Sequence, residues 1–220
     1  MNAVSLFAGV GGFECALESN GIPVVASVEI DKNARQILAR HFRKSQLFND
    51  VRKVTGDDLR RAGFIPDGGI ITAGFPCQDL SVAGRRRGLA GERSGLFFDI
   101  IRLAQETDAE WLVLENVPGL LSSHKGRDMG TVLGALGDSG YGWAYRVLDA
   151  QHFGVPQRRR RVFVVGCFGD WRRATAVLFE RESLSGNPPP RTEKGERVAP
   201  PLSQGSNTGG IGQSDQELFS

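Results

Sequence analysis

The sequence predicts an α/β protein built on a mostly parallel sheet. Two patterns carry that prediction. Over the N-terminal two thirds, short apolar or β-branched runs alternate with segments of helical periodicity, the arrangement that produces βαβ units. Glycines and polar residues also gather directly after the strand-like runs, where open parallel sheets bind their ligands.

The first element is the apolar run Ala3 to Ala8, which ends in glycines. Gly12 to Asn20 reads as a helix, with Phe13, Ala16 and Leu17 at helical spacing. Gly21-Ile22-Pro23 breaks it, and Val24 to Val28 is the second strand. Asp31 can cap a helix from Lys32 to Phe42, whose Ala34, Ile37, Leu38 and Phe42 form one stripe. Leu47-Phe48 leads to the strand end Asn49-Asp50-Val51, and Asp57 to Ala62 reads as a weak helix. Gly69 to Ala73 is a strand, followed by a Gly- and Arg-rich loop from Gly74 to about Arg93. Ser94 to Glu106 is helical, Trp111 to Leu114 is a strand that ends in Glu115-Asn116, and Arg127 to Ser139 is helical. Ala144 to Asp149 and Val162 to Cys167 complete the strands. From about Glu182 onward Ser, Gly, Pro, Asn, Gln and Thr dominate and leave little apolar surface to bury. The expected organisation is therefore a folded domain over 1–181 and a poorly ordered or appended segment over 182–220.

Composition narrows the function classes. With 220 residues, 40% of them hydrophobic, the chain can bury one full-sized core. No apolar stretch approaches the length of a membrane span, and the N-terminus lacks the basic start of a signal peptide. The three cysteines, Cys15, Cys77 and Cys167, have no CxxC spacing, which argues against a disulfide framework and a structural zinc site. A reducing cytoplasm is expected, with no membrane and no metal. A net charge of +2 does not by itself imply nucleic acid; the local runs Arg85-Arg86-Arg87 and Arg158 to Arg161 are more informative.

The candidate site residues follow the strands. Phe7-Ala8-Gly9-Val10-Gly11-Gly12 is a glycine turn between strand and helix, suited to close approach of a ligand. It departs from the dinucleotide fingerprint because position 14 is Glu, and an acidic side chain facing a helix N-terminus would oppose a pyrophosphate. Glu29, with Ile30, follows the second strand and can accept from both hydroxyls of a ribose. Asp50 follows the third, where it can accept from an adenine amino group while Val51 packs on the ring. In register after three strands, these residues describe an adenosine pocket. Gly74-Phe75-Pro76-Cys77-Gln78-Asp79-Leu80-Ser81 places a cysteine just after a strand, in a polar loop where a thiolate can be stabilised. Cys15 and Cys167 are expected to be buried small hydrophobes. Glu115-Asn116 closes the next strand, and a carboxyl lined up beside Cys77 can be kept protonated by burial. In an extended Gln157 to Val162, Gln157, Arg159 and Arg161 share one side and Arg158 and Arg160 the other.

Together the blocks SLFAGVGGFECAL, SVEIDKNA, NDV, GFPCQDLSVAG, LENVPG and FGVPQRRRRVFVVG resemble the DNA cytosine-5 methyltransferase family, from about Val4 to Gly166. The resemblance implies a Rossmann-like, S-adenosylmethionine-dependent methyltransferase sheet with helices on both faces. It also implies a mechanism on a cytosine flipped out of duplex DNA. Cys77 would add to ring carbon 6, and Glu115 would hold or protonate ring nitrogen 3. Carbon 5 would then take the methyl group of S-adenosylmethionine. Asn116 would hold the geometry, Arg161 would contact the flipped base, and Arg159 would assist. Phe7, Ala8, Gly9, Gly11, Gly12, Glu29, Ile30, Asp50, Val51 and Pro76 would form the cofactor site. Gln78, Ser81, Arg85, Arg86, Arg87 and Gln157 would meet DNA, the arginines through phosphates.

In this family a target-recognition region and two closing motifs follow the Gln-x-Arg-x-Arg block, whereas here the chain runs from Gly166 only to Ser220. The expectation is a chain with the catalytic residues but without the DNA reader or the closing motifs, in which 182–220 is poorly ordered or the start of a truncated target-recognition region. The chain is then a truncated or degenerate product, one half of a split enzyme completed by a second polypeptide, or a piece that ends early. An inactive remnant that binds cofactor or DNA, and a tRNA cytosine-5 methyltransferase, are the competing readings. A Rossmann-type oxidoreductase is disfavoured by Glu14 and leaves Pro76-Cys77 without a task.

Overall fold

The described residues assemble around a seven-stranded sheet. The computed structural model describes residues 1–76 and 95–179. In chain order the elements are β1 (Ala3–Leu6), α1 (Gly12–Ser19), β2 (Val24–Val28), α2 (Lys32–His41), β3 (Gln46–Phe48), α3 (Gly56–Arg61) and β4 (Ile70–Gly74). There follow α4 (Leu96–Thr107), β5 (Trp111–Asn116), α5 (Arg127–Asp138), β6 (Tyr141–Asp149), β7 (Arg160–Phe168) and α6 (Trp171–Leu178). The strand order is β3-β2-β1-β4-β5-β7-β6. The first five strands are parallel, and β7 runs antiparallel to both neighbours. That reversal has a simple cause. Only residues 150–159 join β6 to β7, too short a link for the crossover that a parallel pair needs.

Strand alternation sends side chains to two separate cores. Val4, Leu6, Ala26, Val28, Ile71, Ala73, Leu112 and Leu114 face one way and pack with Phe97, Ile100 and Leu103 of α4 and Val132 and Leu136 of α5. Ala3, Val24 and Ile70 face the other way and meet Leu17 of α1. Val165 and Cys167 of β7 meet Ala174 of α6 on that same side. Helices therefore cover both faces. The sheet is closed in on both sides, which is why its central strands read as continuous apolar runs.

The local signals act as expected at several ends. Asp31 caps α2 by accepting from Ala34 N at 2.7 Å. Thr55 and Asp58 form a reciprocal capping box at α3. The α2 stripe divides: Ala34 and Leu38 are buried, whereas Ile37 is exposed.

Three expectations are corrected. Ala16 is exposed, and the one fully buried side chain of α1 is Glu14. Its partner surface is polar: Ser27, Ser5 and Thr72 lie side by side across β2, β1 and β4, all buried. Ser27 Oγ donates to Glu14 Oε1 at 2.9 Å. Burial pushes the Glu14 carboxyl above its ordinary value. Cys15 is exposed rather than buried, because it follows Glu14 on the helix and turns outward; Cys167 is buried as anticipated. Finally, α6 went unpredicted, although Asp170 caps it through a bond from Arg172 N at 2.9 Å. Among the described residues no helix is long and apolar enough to cross a membrane.

Candidate active site and cofactor cavity

The ends of β1 to β4 converge on a cavity of about 500 Å³, lined by Phe7, Val28, Glu29, Ile30, Asp50, Val51, Arg52, Pro76, Gly95, Leu96 and Asp99. Each strand delivers its contribution through the residues just beyond its carboxyl end, the position that parallel βαβ geometry makes available. Of the residues expected at a cofactor site, Phe7, Glu29, Ile30, Asp50, Val51 and Pro76 line this cavity. Ala8, Gly9, Gly11 and Gly12 do not; they build the turn behind it.

The turn shows why glycines are required. Phe7 itself adopts φ 56°, and Gly9 and Gly11 adopt φ 57° and 97°, left-handed conformations costly for residues with a Cβ. A Cβ on Gly11 would lie 2.2 Å from Phe42 Cε2. The fold thus holds Phe7 in a strained conformation that turns it into the cavity, and lets the glycines absorb the rest. The turn is pinned from across the sheet: Gly9 N donates to Glu29 Oε2 at 2.7 Å, and Asp31 N donates to Glu29 Oε1 at 2.8 Å. Both carboxylate oxygens of Glu29 are therefore aimed by backbone amides, with lone pairs left over for further donors. Arg35 Nη1 donates to the carbonyls of Glu29 and Ile30, which secures the same corner.

Asp50 is held by a partner that the sequence reading missed. Arg52 Nε and Nη2 each donate to it at 2.9 Å, a bidentate pair. The guanidinium of Arg52 holds the Asp50 carboxyl below its ordinary value. Glu14 also needs correction. It does not face the helix N-terminus but points into the sheet, so it says nothing about tolerance for a pyrophosphate. The preference against a polyphosphate comes instead from the lining, which offers Glu29, Asp50 and Asp99, with Arg52 already paired to Asp50.

The second cluster lies at the ends of β4, β5 and β7. Glu115 pairs in register with Gly74 on one side and Phe163 on the other. Arg161 Nε lies 2.6 Å from Glu115 Oε1, and both side chains are about a quarter exposed. Glu115 is thus partly exposed and paired with a guanidinium. Asn116 is buried and donates from Nδ2 to Phe75 O at 2.9 Å, while its Oδ1 accepts from Val117 N at 2.8 Å. It ties the end of β5 to the chain immediately before Pro76. Arg159 enters through its backbone: its N–H donates to Asp149 Oδ1 at 3.0 Å, and its carbonyl accepts from Ala150 N at 3.0 Å. Gln157, Arg158, Arg159 and Arg160 are exposed, and β7 begins only at Arg160. The expected two-sided alternation holds for Arg160 and Arg161 alone. Cys77, Gln78, Ser81, Arg85, Arg86 and Arg87 lie outside the described residues.

A family model described as C-5 cytosine-specific DNA methylase matches residues 1–200. The chain belongs to the C-5 cytosine-specific DNA methylase family. Within this family it is 36% identical over 196 residues to the type II methyltransferase M2.BsuMI of Bacillus subtilis, covering 86% of this chain and 48% of that protein. It is 36% identical over 165 residues to the type II methyltransferase M.HhaI of Haemophilus parahaemolyticus, covering 75% and 48%. A solved structure assigned as a DNA modification methyltransferase of an E. coli prophage superposes with a TM-score of 0.63 at 26% identity, over 76% of this chain and 47% of that one. The DNMT2 of Spodoptera frugiperda shares the fold, with a TM-score of 0.60 at 20% identity over 77% of this chain and 51% of that one. The chain spans about half the length of the curated relatives it matches. Family membership implies use of S-adenosylmethionine, and the cavity fits that molecule. Its carboxylates suit a cationic nucleoside with two ribose hydroxyls, and its apolar walls suit an adenine ring.

Proposed function

We propose that this chain is the catalytic part of a DNA cytosine-5 methyltransferase. The observation that carries the reading is the placement of Glu115 and Arg161. They form one ion pair at the strand ends beside Gly74, from which the chain runs directly into Pro76-Cys77. Pro76 lines the cofactor cavity, and the residue before it, Phe75, is held through its carbonyl by Asn116 of the second cluster. S-adenosylmethionine, when bound, supplies an electrophilic methyl group. Glu29 receives the ribose hydroxyls, Asp50 the adenine amino group, and Phe7, Ile30 and Val51 enclose the base. Ala8, Gly9, Gly11 and Gly12 shape the turn that presents Phe7 and Glu29, and Pro76 separates this cavity from the substrate.

On the substrate side a cytosine extruded from the duplex meets Cys77, Glu115 and Arg161. The Cys77 thiolate forms a bond to ring carbon 6, and the electron pair of the 5,6 double bond is delivered to carbon 5. Glu115 hydrogen-bonds ring nitrogen 3, which helps the ring accept charge. Carbon 5 would take the methyl group as the methyl–sulfonium bond breaks and S-adenosylhomocysteine leaves; the carbon-5 proton would then go to solvent and the cysteine would be expelled as thiolate. The net change is replacement of one hydrogen on carbon 5 by methyl, with one proton released. Asn116 keeps the backbone at Phe75 in place, two residues before Cys77 in the chain, and Arg159 and Gln157 stand at the exposed entry to the same strand end. Gln78 and Ser81 are assigned to DNA, and Arg85 to Arg87 to its phosphates. The domain boundary near residue 181 belongs to this proposal as well; a second polypeptide that supplies the target-recognition region is the alternative reading, favoured if the chain alone captures no DNA.

The test is covalent capture. Duplex DNA of random sequence containing 5-fluorocytosine retains the adduct, because fluorine cannot leave carbon 5 as a proton does. The expected result is a cofactor-dependent protein–DNA species that resists denaturation and disappears in Cys77→Ser. Capture of tRNA in preference to duplex DNA would move the substrate to RNA. Transfer of methyl by Cys77→Ser at the wild-type rate would overturn the mechanism.

A further inference from the structure

Arg102 has no part in the chemistry above, yet its contacts run to the cavity wall. It stands on α4, three residues beyond Asp99, which lines the cavity. Its Nη2 donates to Val51 O at 3.0 Å and its Nη1 to Val54 O at 2.9 Å. Nε and Nη2 also reach Asp99 Oδ1 at 3.2 and 2.9 Å, and Nη1 reaches Glu106 Oε1 at 3.1 Å. All three nitrogens of the fork are in use, and the two carboxylates orient it. Glu106, one turn further on, adds a third grip: Gly56 N donates to its Oε2 at 2.6 Å. The approach is close enough that a Cβ on Gly56 would stand 2.7 Å from Glu106 Cβ.

The gripped segment connects β3 to α3. Between Phe48 and Gly56 it has neither a ladder nor a helix of its own; apart from a local turn closed by Lys53 N donating to Asp50 O at 3.1 Å and the Thr55 cap of α3, the carbonyls of Val51 and Val54 are held by Arg102. The segment carries Asp50, Val51 and Arg52, three residues of the cavity wall. We infer that Arg102 is a positioning residue for the nucleoside end of the cavity, holding the 50–54 backbone so that Asp50 and Val51 meet the adenine; this rests on the cofactor reading above. Its ion pairs are a third exposed and contribute little as charges alone. The planar fork matters because it addresses two carbonyls and two carboxylates at once, which an ammonium on a flexible stem cannot do.

The experiment compares wild type with Arg102→Met and Arg102→Lys, the latter keeping the charge between Asp99 and Glu106 should the former fail to fold. Each is titrated separately with S-adenosylmethionine and with adenosine, and amide hydrogen exchange is measured without ligand. Arg102→Met is expected to weaken both ligands by the same factor, about tenfold, with Arg102→Lys in between. Exchange rises within residues 50–56 while β1 and β2 keep their protection. A purely structural role would raise exchange across the whole sheet. Unchanged exchange at 50–56 with unchanged affinity, or a uniform rise, overturns the inference. Binding of neither ligand by folded wild type overturns the cofactor reading instead, and the exchange measurement still decides whether Arg102 positions the segment.

Discussion

Replacing Gly11 by alanine attacks the turn that shapes the cavity, and the structure sets the size of the effect. Gly11 has φ 97°, which costs a residue with a Cβ about 1–2 kcal/mol. The new methyl would also stand 2.2 Å from Phe42 Cε2 and 2.9 Å from Cζ. Phe42 is the half-buried residue that ends α2, and forcing it aside adds about 1–3 kcal/mol of overpacking. The total is about 2–5 kcal/mol, a fall in Tm on the order of 10 °C for a domain of this size. The two contributions separate in a double-mutant cycle with Phe42→Ala. Gly11→Ala in the Phe42→Ala background should recover the steric part and retain the backbone part, giving a coupling of about 1–3 kcal/mol. Urea unfolding of the four proteins measures it. Additive effects, or a Gly11→Ala protein within about 0.5 kcal/mol of wild type, would refute the reasoning.

Other perturbations follow from the same contacts. Glu14 is protonated more readily in the folded chain than at its ordinary value of 4.5. Its contribution is therefore full below about pH 4.5 and is lost as pH rises through the higher folded value. Glu14→Gln should gain on wild type with rising pH in a pH series of unfolding curves; a constant difference would contradict this. Asn116→Ala strands the Phe75 carbonyl and should cost about 1–3 kcal/mol together with methyl transfer, read by urea unfolding and a transfer assay. Glu115→Gln removes a partly exposed ion pair, so stability should shift by less than about 1 kcal/mol. Methyl transfer should fall at least about a hundredfold and cofactor affinity should stay level. A large loss of affinity in calorimetry would mean that Glu115 belongs to the other cavity.

Strand positions and the residues after them were legible because burial on both faces leaves continuous apolar runs, and parallel topology puts function at the carboxyl ends. Glu29, Asp50 and Glu115 could be placed by counting from those runs. Helix α1 was harder. Its inward residue is Glu14 because the strand surface beneath it is Ser27-Ser5-Thr72, and that polar row exists only after three strands are set in register. Arg52 and Arg102 escaped for a related reason. Asp99, Arg102 and Glu106 have ion-pair spacing on a helix, which was readable, but the carbonyls of Val51 and Val54 that Arg102 holds lie in a distant stretch of chain. The antiparallel β6 and β7 were found as strands, though shorter than they are, and α6 was lost against the tail whose polar composition begins nearby.

The most direct measurement is a calorimetric titration of the chain with S-adenosylmethionine, repeated with Glu29→Ala. Glu29 both aims at the cavity and fixes Gly9 and Asp31. Saturable binding by wild type, weakened at least about tenfold in the variant, is the predicted result. A chain that is folded by circular dichroism yet binds no cofactor, or a Glu29→Ala protein that binds as tightly as wild type, would contradict the assignment of the cavity.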